Sequence, residues 1–131
     1  MRKVTPTVVL AFCASSSCGL DSTASEDDSC DGPVAVAVSA DQVPVISWTP
    51  RCRADYVAVG YAGLNDVWWA YTLTPVGIPP AVRVGDEPPG TRAESLLHLV
   101  RGVQYSVSVG WRRSDGAGFE VGSWGHTRFV Y

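Results

Sequence analysis

Val103-Gln104-Tyr105-Ser106-Val107-Ser108-Val109-Gly110-Trp111 alternates apolar residues with polar or small ones. Such a period-two run buries one face of a sheet and wets the other. The chain repeats this logic on both sides. Upstream, Val34, Val36 and Val38 alternate with Ala35 and Ala37. Residues 44–48 then put Ile46 and Trp48 on one face, and residues 56–61 present Val57, Val59 and Tyr61 together. Residues 66–73 form a fourth strand dense in aromatics. A Pro-rich passage (Pro75, Pro79, Pro80, Pro88, Pro89) holds a brief strand at 81–84, and its prolines restrict it to an edge or a loop. Residues 95–99 read as the next strand. Downstream, Ser114-Asp115-Gly116-Ala117-Gly118 signals a turn, and residues 119–131 close the fold. No segment has helical period. The expected fold is all-β, a single seven-stranded antiparallel sandwich over residues 33–131.

Composition agrees with one globular unit. Hydrophobic residues make up 46% of the 131 and charged residues 18%, which argues against disorder. The net charge of −3 is unevenly spread. Asp21, Glu26, Asp27, Asp28 and Asp31 crowd one short stretch without a base, whereas beyond Gly32 acids and arginines balance. A near-neutral domain has no basic face for a phosphate backbone, so nucleic acid is excluded as a partner.

The N-terminal end reads as a leader, residues 1–17, followed by an acidic tether, residues 18–32. Met1-Arg2-Lys3 is a positive head, and Val4 to Ala14 is apolar apart from Thr5, Pro6 and Thr7. That run is too short to span a bilayer and fits the core of an export signal. Cys18 follows Ser15-Ser16-Ser17, and Cys13 follows Leu10-Ala11-Phe12. The segment resembles a bacterial lipoprotein signal, which implies lipid attachment at the first mature cysteine, here Cys18, with Cys13 as the other candidate. Ordinary cleavage after Ala24 is the competing reading. Any membrane attachment is expected through this lipid alone. The acids from Asp21 to Asp31 lack apolar periodicity and repel one another, as a solvated, disordered spacer does.

Leu99-Val100-Arg101-Gly102-Val103-Gln104-Tyr105-Ser106-Val107 resembles the L-x-x-G-x-x-Y-x-V run of fibronectin type III domains, and Ile46-x-Trp48-x-Pro50 resembles a core strand of that family. The resemblance implies a tyrosine corner built from Leu99, Gly102 and Tyr105, the phenol bonding back to upstream backbone. The family's Tyr-x-Val is not met at Tyr56, where Ala58 stands instead.

Cys30 precedes the first strand and Cys52 follows the second. In an antiparallel pair those ends are neighbours, so a Cys30–Cys52 disulfide is expected in an oxidising compartment. Fibronectin type III domains ordinarily lack such a bridge.

Catalytic chemistry finds no foothold. His98 and His126 have no ligand-spaced partners, Asp115 and Glu120 flank a turn, and no nucleophile elbow, zinc or phosphate-loop motif occurs. No catalytic residue, metal or cofactor is assigned. The aromatics are the better lead. Adjacent Trp68 and Trp69 must face opposite ways in a strand. Val67, Trp69 and Tyr71 form the more apolar face and are assigned inward, which leaves Trp68 outward unless the Pro-rich passage covers it. Trp68 and Trp124, with Arg112 nearby, are the candidate binding aromatics. The expected function is a non-catalytic exported module that binds or spaces at the cell envelope. The alternative is a carbohydrate-binding accessory module. A protein or a glycan is the expected kind of partner, and oligomeric state is left open.

Overall fold

In the computed structural model, residues 28–61, 66–95, 98–114 and 116–131 are described. Leader, Cys13, Cys18 and most of the tether lie outside them. The described chain forms eight strands and no helix: β1 (Ala35–Val38), β2 (Val45–Thr49), β3 (Tyr56–Tyr61), β4 (Asp66–Thr72), β5 (Val82–Arg83), β6 (Thr91–Ser95), β7 (Gln104–Ser114) and β8 (Phe119–Val130). They make two antiparallel sheets, β1-β2-β5 and β6-β4-β3-β7-β8, an arrangement consistent with a β-sandwich.

Alternation drives the packing. Val57 and Val59 of β3, Val107 and Val109 of β7, and Ile46 and Trp48 of β2 are all at most 2% exposed. These residues supply the inner faces of the two sheets. Burying each large side chain contributes about 1.5–3 kcal/mol. Trp48 also donates its indole N–H to the Cys52 carbonyl at 2.8 Å, so its polar edge is satisfied in the core.

The strand count is eight rather than seven because the brief segment expected at 81–84 is itself a paired strand, β5, and the strand before β7 is also displaced. The strand expected at 95–99 instead runs Thr91–Ser95, ending where the other was to begin. Pro88 and Pro89 stop the chain, and Gly90 turns it at a φ of +74°, a left-handed value suited to glycine. Thr91 then donates both its N–H and its hydroxyl to the Pro88 carbonyl. β6 reads Thr-Arg-Ala-Glu-Ser because it is an edge strand, wet along most of its length, so no apolar alternation advertises it. The rest of the Pro-rich passage does not simply loop out. Ile78 exchanges both backbone bonds with Ala54 and is fully buried, closing one end of the core.

Cys30 and Cys52 are disulfide-bonded, with their Cα atoms 5.0 Å apart. The geometry behind this is the β1–β2 pairing, in which Ala35 lies opposite Thr49. Alongside the bridge, Cys30 N–H donates to the Arg53 carbonyl and Arg53 N–H to that of Asp28. Asp28 and Cys30 are thus bonded to the segment after β2, although they precede the boundary expected at residue 33. A disulfide points weakly to an oxidising, non-cytoplasmic compartment.

At the β7 entrance, Val100 N–H donates to the Tyr105 hydroxyl at 2.8 Å. Leu99 packs against the core, and Gly102 makes the turn at a φ of +79°. Tyr105 itself is 3% exposed, with Tyr61 edge-on at 6.0 Å and Phe129 tilted at 5.8 Å.

Candidate functional site

The orientation of β4 decides which aromatics face solvent, and it is opposite to the expectation. Register pairs Val57 with Ala70 and Val59 with Trp68, so the buried face of β3 drags Ala70 and Trp68 inward. Trp68 is 2% exposed and belongs to the core, where its indole N–H has no acceptor among the described residues. Trp68 is thus no exposed binding aromatic. Gly60 pairs with Asp66, which makes Val67 the extra residue of a bulge and lets Val67 and Trp68, though adjacent, both be buried. Val84 and Gly85 of the Pro-rich passage line a cleft of about 220 Å³ with Trp68, Pro44, His98 and Leu99. Trp69 and Tyr71 consequently stand on the outer face, both half-buried.

Trp124 is half-buried and does not line the outer groove of the five-stranded sheet. It is the bulged residue of β8, between Ser123 opposite Gly110 and Gly125 opposite Val109. Its carbonyl accepts from Val34 N–H at 3.2 Å, and its side chain packs against the core. His98 and His126 are both exposed, and Glu120 is exposed on the hairpin. Asp115 lies outside the described residues. Among the described residues no group of three His, Cys, Asp or Glu side chains is placed to hold a metal.

What the fold does assemble is a groove on the outer face of the five-stranded sheet. One row of mutually opposed residues crosses all five strands: Glu94, Trp69, Ala58, Ser108 and His126. The next row is Arg92, Tyr71, Tyr56, Gly110 and Ser123. Opposed residues share a face, so the large aromatics of β3 and β4 stand beside the small residues Ala58 and Ser108. On the far side β7 and β8 run past the sandwich as a long hairpin and bring Arg112, Phe119 and Val121 to the rim. The cavity between these walls is about 550 Å³. A smaller cavity of about 250 Å³, sharing Tyr56, Asp66 and Val121 with the first, continues over Ala58 and Ser108 toward Ser123.

Arg112 organises the rim. Its guanidinium lies 4.5 Å from the Tyr71 ring centre and 4.5 Å from that of Phe119, sandwiched between the two. Contacts of this kind contribute about 0.5–2 kcal/mol each, depending on solvent exposure. The Arg112 N–H donates to Asp55 Oδ2 at 3.4 Å, while its side-chain Nε is shielded from solvent with no acceptor among the described residues.

Opposite, the Tyr56 hydroxyl donates to Asp66 Oδ2. Burial, then that hydrogen bond, then the Asp66 charge push the Tyr56 phenol above its ordinary value of 10.0, so Tyr56 is neutral and fixed as a donor. Glu94 is exposed, and its only ion-pair contact among the described residues is at 4.0 Å to Arg92, which is weak at such exposure. The groove therefore combines flat apolar rings, two carboxylates as acceptors and one arginine as donor. Rings to stack on, with fixed donors and acceptors around them, are groups that can bind a ligand.

Comparison with protein-family models, curated proteins and solved structures found no match, so the reading of this groove rests on its own geometry.

Proposed function

We propose that this protein is an exported, non-catalytic binding module of fibronectin type III-like construction, tethered to the cell envelope by lipid on Cys18, with its ligand in the outer groove of the five-stranded sheet. The observation that carries the binding role is the groove itself. A spacer has no use for Trp69, Tyr71 and Tyr56 standing half-exposed beside a floor of small residues. Concave sites with apolar walls and a few convergent polar groups are the usual form of ligand sites. The fibronectin-like reading is supported by the Val100–Tyr105 bond and by the pairing of β2 with both β1 and β5, with β6 as an added edge strand. Export is supported by the apolar leader core and by the Cys30–Cys52 bridge.

The binding role is tested by retention of the purified full chain on washed envelope fractions and on a panel of immobilised soluble polymers. Retention abolished by the Trp69→Ala/Tyr71→Ala pair, with urea stability preserved, supports the role. Retention indifferent to that pair, or none on any matrix, refutes it. Anchoring is tested by intact mass of the protein recovered from membranes. A diacyl or triacyl adduct on Cys18 supports it, and an unmodified start at Ser25 refutes it.

A further inference from the structure

The groove's composition narrows what it binds. A cation would be drawn to the ring faces of Tyr71 and Phe119, but Arg112 already fills that position between them. A polyanion would meet Asp66 and Glu94 against the single Arg112 among the lining residues. Trp69 is different: among the described residues it has neither an aromatic nor a cationic partner, and it is half-buried, so part of its indole is open to the cavity it lines. Beside it on β3 is only the methyl of Ala58, then the Ser108 hydroxyl. An open indole bordered by a step down to a small-residue floor is shaped for a flat, uncharged ring with polar edges.

We propose that the groove takes a neutral oligosaccharide, one pyranose ring stacked on Trp69 and the chain running across the strands toward Ser123. A pyranose has C–H groups on its face and hydroxyls around its rim. The face meets the indole. The rim hydroxyls meet the acceptors Asp66 and Glu94, and a ring oxygen or hydroxyl accepts from the guanidinium of Arg112, which lines the groove. The continuation over Ala58, Ser108, Gly122 and Ser123 gives room for further sugar units.

The proposal rests on the reading of the outer face as the ligand surface, and the test separates the two. Purified full chain is applied to an array of neutral hexose, N-acetylhexosamine and uronate oligosaccharides, and hits are titrated calorimetrically. The expected result is binding of a neutral oligosaccharide that Trp69→Ala weakens roughly tenfold or more, as truncation of a central aromatic contact does. Trp69→Phe retains part of the affinity, and Leu73→Ala, exposed and outside the groove lining, changes nothing. Because Trp69→Ala could disturb β4, Ser108→Arg, which fills the groove from β7, provides a second block. No neutral sugar bound, or binding only of uronates, overturns the proposal. So does binding that neither variant weakens. A peptide ligand lost on Trp69→Ala sinks the sugar while leaving the binding face intact. A ligand insensitive to both variants sinks both readings.

Discussion

Replacing Cys30 and Cys52 together by alanine removes the one covalent link between the Asp28–Cys30 segment and the end of β2. The bridge closes a loop of sequence separation 22. In the chain-entropy treatment that restricts the unfolded chain by about 11 cal/mol/K, or about 3.4 kcal/mol at 25 °C. Two backbone bonds, Cys30 to Arg53 and Arg53 to Asp28, run beside the bridge and survive in the variant. At about 0.5–1.5 kcal/mol each they hold the segment in place but do not replace the lost constraint on the unfolded chain. Urea unfolding followed by tryptophan emission is the natural assay, because the Trp48 indole is bonded to the Cys52 carbonyl. With a slope of about 1–3 kcal/mol/M for a domain of this size, the midpoint falls by about 1–3 M. The same fall is expected for the wild-type protein in reductant. Superimposed curves for wild type and variant would refute the reasoning, since the loop constraint would then contribute nothing.

Three further outcomes follow from particular contacts. Tyr105→Phe deletes the acceptor of Val100 N–H and lowers stability by about 0.5–1.5 kcal/mol in the same urea assay; an unchanged midpoint argues that the corner bond is dispensable. Gly122→Ala places a methyl carbon 2.2 Å from the Trp111 ring, which forces the hairpin apart at about 1–3 kcal/mol. Adding Trp111→Ala recovers much of that loss, and a strictly additive double variant contradicts the clash. For Tyr56, the folded phenol titrates above 10.0 while the unfolded one does not. Above about pH 10 the unfolded chain therefore binds fewer protons and stability falls with pH. Tyr56→Phe flattens that part of the midpoint-versus-pH curve, and an identical slope in the variant tells against the Tyr56–Asp66 contact.

Strands with one apolar parity were legible from residues alone. β7, with Tyr105, Val107 and Val109 on one side and serines on the other, has only one way to face, and β3 follows through Val57 and Val59. β4 does not. Asp66-Val67-Trp68-Trp69-Ala70-Tyr71-Thr72 is apolar on both parities, so hydrophobicity cannot choose. Register against β3 chooses, and the bulge at Val67 then buries two consecutive residues, which no period-two pattern allows. The groove was hidden for the same reason. Its walls are the aromatics that the more apolar parity of β4 assigns to the core, and its floor is made of small residues that carry no sequence signal. Arg112 gave some notice as a charge near aromatics, but its place between Tyr71 and Phe119 depends on β7 and β8 outrunning the sandwich. The bridge was readable because strand-end adjacency is a property of antiparallel pairing itself.

The account turns on which tryptophan meets a ligand. Indole N–H signals in a proton–nitrogen correlation spectrum resolve the five tryptophans of the full chain separately. On titration with the oligosaccharide that binds, the Trp69 signal is expected to shift in step with occupancy, while those of Trp48 and Trp68, both 2% exposed, stay in place. Saturation that leaves Trp69 unmoved, or moves Trp124 instead, contradicts the assignment of the outer groove as the binding site.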